Sequence, residues 1–278
     1  MLARQNRARL LPLVTFGLLL VAAGASAHGG ELPTADELID KALEAMGGKA
    51  INKVESYSAS SEMTSAIGTM TIETFWVRPN RVFVRTTIPQ MGDMEMGTDG
   101  TIGWMSHPMI GYQLLVGDQM DQARKQAIHA RLLRLRETIK ENDQKIEGVG
   151  ETEFDGVKCH ELRLIRKAKG VASRRAMYFD AASGLIRAMR VAGGPSGAPT
   201  VIRFADWKTI DGVKFFHRME LEGGPATTVI KYVRIELNKV SPERVALPEE
   251  VKKLAAERSS GAATRPSASP TSQPQSGS

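Results

Sequence analysis

The stretch that decides the fold is residues 68–79, which read GTMTIETFWVRP. From Met70 to Trp76, two sets of side chains alternate. One set occupies positions 70, 72, 74 and 76, and the other occupies the positions between them. A period of two is typical of a β-strand whose successive side chains point to opposite faces. Pro79 marks a turn, and residues 81–88 repeat the strand pattern with β-branched side chains. We therefore predict two antiparallel strands at this point.

The same pattern extends in both directions along the chain. An Asp-Gly pair separates residues 93–98 from 101–106, as in a tight hairpin. Near copies of a second Asp-Gly turn occur in FDGVK at 154–158 and IDGVK at 210–214. Short turns between consecutive strands favour antiparallel pairing. We expect about ten or eleven such strands, one of them over Met177–Asp180.

Two amphipathic helices are predicted beside these strands. Thr34 and Glu37 form a capping box in front of the first helix. The second spans residues 119–140 and combines an apolar stripe with a strongly basic remainder. Two interpretations stay open for this helix: a solvated basic surface above a core-facing stripe, or a helix that touches acidic lipid headgroups or lies over a ligand cavity. The stripe consists of Ile128, Leu132, Leu135 and Ile139.

These elements together predict an α+β fold. A large curved antiparallel β-sheet would carry the helices against one of its faces.

Residues 1–27 have the order of a secretory signal peptide. A leader with three arginines precedes an apolar run over residues 10–21 and a small-residue cleavage site that ends at Ala27. Cleavage after Ala27 predicts an exported, periplasmic protein. The competing interpretation is an uncleaved membrane anchor, but Pro12 and Gly17 weaken a spanning helix.

Composition sets the remaining limits. The 278 residues include 37 Lys and Arg, 31 Asp and Glu, and one Cys. Cleavage lowers the formal charge from +6 to +3, because the three arginines are the only charged side chains of the leader. That charge is too small for a nucleic-acid partner, and a single Cys excludes a disulfide framework. Residues 258–278 are rich in Ser and Pro and are predicted to be a disordered tail, which leaves one domain over residues 28–257.

No catalytic motif is present. The sequence holds no zinc-protease motif, nucleophile elbow, phosphate-binding loop or dinucleotide fingerprint. Cys159 and His160 are adjacent, and on a strand they would point to opposite faces. We therefore predict a protein that is not an enzyme and needs no cofactor.

A cluster of methionines offers a less favoured alternative. Thioether and imidazole groups are suitable ligands for Cu(I) in an exported protein, although methionine is equally a flexible apolar filler. The cluster lies within 19 residues and comprises Met91, Met94, Met96, Met105, His107 and Met109.

Several segments, in order, resemble the outer-membrane lipoprotein-sorting protein family, which includes the LolA-like periplasmic lipoprotein carriers. They are ALEAMGG at 42–48, TDGTIGW at 98–104, YFDAASGLI at 178–186, FADWKTIDGV at 204–213 and residues 238–248. The resemblance implies a half-open β-barrel with an apolar concave face covered by helices. It identifies no ligand residue one by one.

We accordingly predict a non-enzymatic, monomeric binding protein of the cell envelope that holds lipid, lipoprotein acyl chains or another apolar ligand in a half-barrel cavity. An envelope protein is a possible partner. The alternatives are an interaction module with a filled barrel, or the Cu(I) site. The larger side chains are candidates for the cavity wall, and they would equally suit an ordinary core. These candidates are Met70, Trp76, Phe83, Met94, Met96, Trp104 and Phe215.

Overall fold

The computed structural model describes residues 31–66, 68–168, 171–193, 198–224 and 226–263. The predicted signal peptide lies outside these ranges, as does the predicted tail beyond residue 263. The strands are β1 Ser56–Ser65, β2 Gly68–Val77, β3 Arg81–Ile88, β4 Gly92–Thr98, β5 Gly103–His107, β6 Gly111–Leu115, β7 Gln144–Phe154, β8 Val157–Ala168, β9 Val171–Asp180, β10 Ile186–Val191, β11 Thr200–Ile210, β12 Val213–Glu222 and β13 Thr228–Leu237. The helices are α1 Ala35–Met46, α2 Asp118–Gln126, α3 Ile128–Leu133, α4 Leu135–Glu141 and α5 Glu249–Ala263, with 3-10 helices at Gly48–Lys53 and Pro242–Val245.

All 13 strands form one antiparallel, curved and unclosed sheet. Its order is β6-β5-β4-β3-β2-β1-β13-β12-β11-β10-β9-β8-β7, so each half is a meander and β1 joins the halves by pairing with β13. The two edge strands, β6 and β7, are consecutive in sequence and are connected by α2–α4. The predicted α+β class with a half-open sheet is confirmed.

The structure has more strands than predicted because some of them are polar. β7 carries Gln, Lys, Glu and Thr in most positions. Its antiparallel pairing with β8 stabilises the strand, although its own sequence is not hydrophobic. β9 begins at Val171, whereas the sequence pattern indicated a start at Met177. The hydrogen-bonded ladders of β7 and β9 thus extend beyond the apolar residues from which strands were predicted.

The repeated Asp-Gly pairs form the predicted turns. Phe154 pairs with Val157 and Ile210 with Val213, which leaves two-residue loops. Both residues of each loop have positive φ, at 48° and 74° in the first and 48° and 81° in the second. This is the type I′ geometry, which favours Asp and Gly and matches the twist of the flanking strands.

Helix α1 has the predicted cap and stripe. The Thr34 hydroxyl accepts a hydrogen bond from the Glu37 amide, and the Glu37 carboxylate accepts one from the Thr34 amide at 2.8 Å. The stripe packs into the main hydrophobic core beside β12. Its buried residues are Leu38, Ile39, Ala42 and Met46.

The predicted helix over residues 119–140 is divided into α2, α3 and α4, which we call the helical cover. The backbone leaves helical geometry at Ala127 (ψ 56°) and at Arg134 (ψ 45°). The Arg134 guanidinium donates to the Pro79 carbonyl at 2.8 Å and ion-pairs with Glu141 at 2.8 Å. The break at Arg134 therefore coincides with a hydrogen bond to the β2–β3 turn. The periodicity of apolar residues in the sequence could not reveal this contact.

The C-terminal helix α5 continues past Arg258 to Ala263, so the beginning of the predicted tail is helical. Within the described ranges, no helix has the length and apolar character needed to cross a bilayer.

Candidate functional site: a cavity beneath the helical cover

A cavity of about 470 Å³ lies between the sheet and the helical cover. Strands from both halves of the sheet line it, because β1 and β13 join these halves in the middle. Aliphatic side chains make up much of its sheet side. They are Ile72, Val191, Ile202, Leu221 and Ile230.

Methionines form a second part of the wall. Unbranched thioether side chains change shape with little steric cost, so a wall built from them can adapt to ligands of different shape. The methionines that line the cavity are Met63, Met177, Met189 and Met219.

The roof of the cavity is the predicted apolar stripe of the helical cover. All four of its residues line the cavity. The interpretation that these helices lie over a cavity is therefore favoured over a merely solvated surface.

His129 fixes α3 to the sheet. Its ring is 2% exposed, stacks on Phe216 with a centroid distance of 4.1 Å, and meets Tyr232 edge-on at 4.5 Å. Its Nε2 lies 3.1 Å from the Phe216 carbonyl oxygen. Burial lowers the pKa of His129 to about 3, so the ring is neutral at ordinary pH.

The charges on the cavity wall are of one sign. Arg175 of β9 and Lys125 and Arg131 of the helical cover are among its lining residues, and no Asp or Glu is among those described. The cavity thus combines an apolar wall with positive charge.

None of the seven predicted wall residues lines this cavity, although five share its face of the sheet. Met70 lies directly opposite Met63 in the β1–β2 ladder, and Met94 opposite Thr86 in the β3–β4 ladder. Residues directly opposite one another in a ladder point to the same face. Met96 occupies the same face two residues after Met94.

Two others lie under the helical cover. Trp76 stacks on Tyr57 with a centroid distance of 5.8 Å and borders a small recess beside Ala127. Phe215 contacts the ring of His129 edge-on at 5.4 Å.

The last two, Phe83 and Trp104, lie on the other face of the sheet. Their rings stack at 6.0 Å and join a separate apolar cluster with Val245 and Val251. Gly97 provides the space for the indole, because a Cβ there would lie 2.9 Å from the Trp104 ring. Ligand contact by any of the seven stays a prediction, and the proposals below depend on the residues that line the cavity.

The methionine cluster of β4 and β5 is partly assembled. Met96 lies directly opposite Met105, whereas Met109 is exposed and its amide donates to Nδ1 of His107 at 3.1 Å. Copper binding stays a hypothesis.

Arg175 is a wall residue that the sequence did not predict, because it lies two residues before the predicted strand at Met177. The available signal was alternation: Arg175, Met177 and Phe179 have the spacing of one strand face. An arginine on an otherwise apolar face breaks the hydrophobic pattern, and such a break is itself an indication of function.

No protein-family model matches the sequence, and no curated protein is significantly similar to it. Solved structures share the fold. The LolA superfamily protein NE2245 from Nitrosomonas europaea aligns with a TM-score of 0.54 at 13% identity, over 77% of this chain and 98% of that chain. A DUF1329 family protein from Desulfovibrio piger aligns with a TM-score of 0.53 at 14% identity, over 76% of this chain and 96% of that chain.

A putative outer membrane lipoprotein-sorting protein domain from Vibrio parahaemolyticus aligns with a TM-score of 0.48 at 15% identity, over 79% of this chain and 100% of that chain. At these identities the likeness concerns the fold alone. The resemblance predicted from the sequence is confirmed at that level: this chain has the fold of a LolA superfamily protein.

Proposed function

We propose that this chain is an exported, non-enzymatic binding protein of the cell envelope that holds a lipid, a lipoprotein acyl chain or another apolar ligand. The observation that carries the proposal is the cavity of about 470 Å³ between the sheet and the helical cover. Export is supported by the signal-peptide pattern of residues 1–27.

The energetics of such a cavity suit an acyl chain. Each buried methylene contributes about 0.8 kcal/mol, so a chain that buries eight of them gains roughly 6 kcal/mol without directional contacts. The methionine wall tolerates chains of different length and branching. Binding by this route requires no catalytic group.

The alternative, an interaction module with a filled barrel, is less favoured because the interior contains a cavity large enough for part of a ligand. If the interior were filled, the function would depend mainly on binding to an envelope protein.

Lipid content tests the proposal. Full-length protein purified without detergent is expected to carry extractable lipid that mass spectrometry identifies. Met219→Trp places a larger side chain in the cavity and is expected to remove most of this lipid while the circular dichroism spectrum stays that of the wild type.

Val233→Trp is the matched control, because Val233 is 60% exposed and the added ring would lie in solvent. This variant should retain the wild-type lipid content. A wild-type protein without lipid that also fails to take up a fluorescent fatty acid would refute the proposal.

A further inference from the structure

Arg175 occupies one end of the apolar wall. It lies four residues after the start of β9 at Val171 and two residues before Met177, a distance of about 7 Å along the strand. Its ladder partners are Leu164 of β8 and Val191 of β10. Arg175 therefore adjoins the methionine wall at the end of the cavity nearest the start of β9.

This guanidinium has no counter-charge among the described residues. Among the described residues, its buried Nε has no hydrogen-bond partner and no carboxylate forms an ion pair with it. Burial lowers the pKa of Arg175, yet a guanidinium remains charged in proteins. A partly buried charge without a partner is costly to the fold, and most buried polar groups have one.

A second arginine lies beside it. Arg166 follows Leu164 by two residues in β8, so strand alternation puts it on the same face. Because Leu164 pairs with Arg175, Arg166 and Arg175 are diagonal neighbours in the ladder. The Cα atoms of such neighbours are about 7–8 Å apart, which is within reach of long side chains. The Nε of Arg166 is also buried, and no described residue forms a hydrogen bond with it.

Two guanidinium forks on one face suit an anion with several oxygens. Arginine binds carboxylates and phosphates through paired, charge-assisted hydrogen bonds. No described Asp or Glu lines the cavity to compete for them.

We infer that the ligand is an anionic amphiphile, whose acyl chain fills the methionine-lined cavity and whose carboxylate or phosphate head binds Arg175 and Arg166. This inference rests on the proposed function and narrows its ligand class.

Three probes that share one acyl chain test the inference. Palmitate offers a carboxylate, monopalmitoyl phosphatidic acid offers a phosphate, and methyl palmitate offers neither. Delipidated full-length protein is titrated with each probe at neutral pH, and binding is followed by displacement of a fluorescent fatty acid. We expect at least one anionic probe to bind roughly tenfold more tightly than the ester, and the tighter of the two identifies the head group.

Arg175→Gln is expected to reduce the affinity for the anionic probe to that for methyl palmitate, with the affinity for the ester unchanged. Arg174→Gln is the matched control: it removes the same charge from the same strand, and its side chain pairs with Glu147 on the opposite face. This control should behave as the wild type. Arg166→Gln should weaken anionic binding in the same direction as Arg175→Gln, and it carries the test if the latter does not fold.

Equal affinity of the wild type for the anionic probes and the ester would overturn the head-group inference and leave acyl binding intact. Failure of all three probes to bind would overturn the proposed function as well.

Discussion

The two faces of the sheet are covered in different ways. On the cavity face, methionines and aliphatic side chains leave a hollow of about 470 Å³ beneath the helical cover. On the other face, over β2–β6, aromatic rings stack on one another, Phe75 on Phe83 at 5.9 Å and Phe83 on Trp104 at 6.0 Å. Strand alternation buries both sets, so burial by itself does not distinguish a ligand wall from a packed core.

The largest expected effect concerns the packed face. Trp104→Ala should lower the free energy of unfolding by about 3–5 kcal/mol, because it removes an almost fully buried ring from a filled cluster. Met219→Ala, on the wall of the existing cavity, should cost about 2 kcal/mol, near the lower limit for such a truncation. Urea denaturation of the delipidated proteins measures both.

For lipid content the order of the two variants should be reversed: Met219→Ala should lose more lipid than Trp104→Ala. Folded Trp104→Ala protein is expected to retain its ligand, since the ring lies on the other face of the sheet. Loss of ligand at unchanged stability would instead place Trp104 in the binding wall, as the sequence first predicted.

An intermediate effect is expected at the contact that holds the helical cover on the cavity. The unfolded chain protonates His129 below pH 6.5, whereas the folded protein does so only near pH 3. The stabilisation is therefore complete above pH 6.5 and is lost as the pH falls toward 3, at up to about 1.4 kcal/mol per pH unit. Between pH 6.5 and 5 the free energy of unfolding should fall by roughly 2 kcal/mol from this group.

The variant His129→Phe keeps a ring against Phe216 but cannot be protonated. Its free energy of unfolding, measured with urea at several pH values, should decline less steeply toward acid than that of the wild type. Parallel curves for the two proteins would show that His129 does not contribute to the acid sensitivity.

The fold was largely predictable because its signals are local. The period of two in β2, the Asp-Gly pairs before β8 and β12, and the Thr34 capping box each depend on neighbouring residues and appear as expected. Even the stripe of the helical cover could be assigned from its helical spacing. Each of these features is determined by backbone geometry over a few residues.

The site was less predictable because it depends on distant residues. The sequence predicts large aromatic side chains in the cavity wall, yet Phe83 and Trp104 pack on the other face, where Gly97 leaves room for the indole. Which face is hollow depends on how 13 strands curve and on what covers each side. Arg175 was not predictable as a wall residue because a charged side chain weakens the strand signal at its own position.

The smallest expected effect is on the free energy of unfolding when one arginine on each face is replaced. Arg244 lies over the rings of Phe75 at 4.4 Å and Phe83 at 5.0 Å, so Arg244→Gln should cost about 0.5–1 kcal/mol of cation–π stabilisation. No described residue on the cavity face forms such a contact with Arg175, and Arg175→Gln should leave the free energy of unfolding of the delipidated protein unchanged or raise it. Urea denaturation of the two variants side by side measures this difference. An equal loss in both would mean that Arg175 supports the fold as Arg244 does, and the guanidinium on the cavity wall would then no longer indicate a ligand.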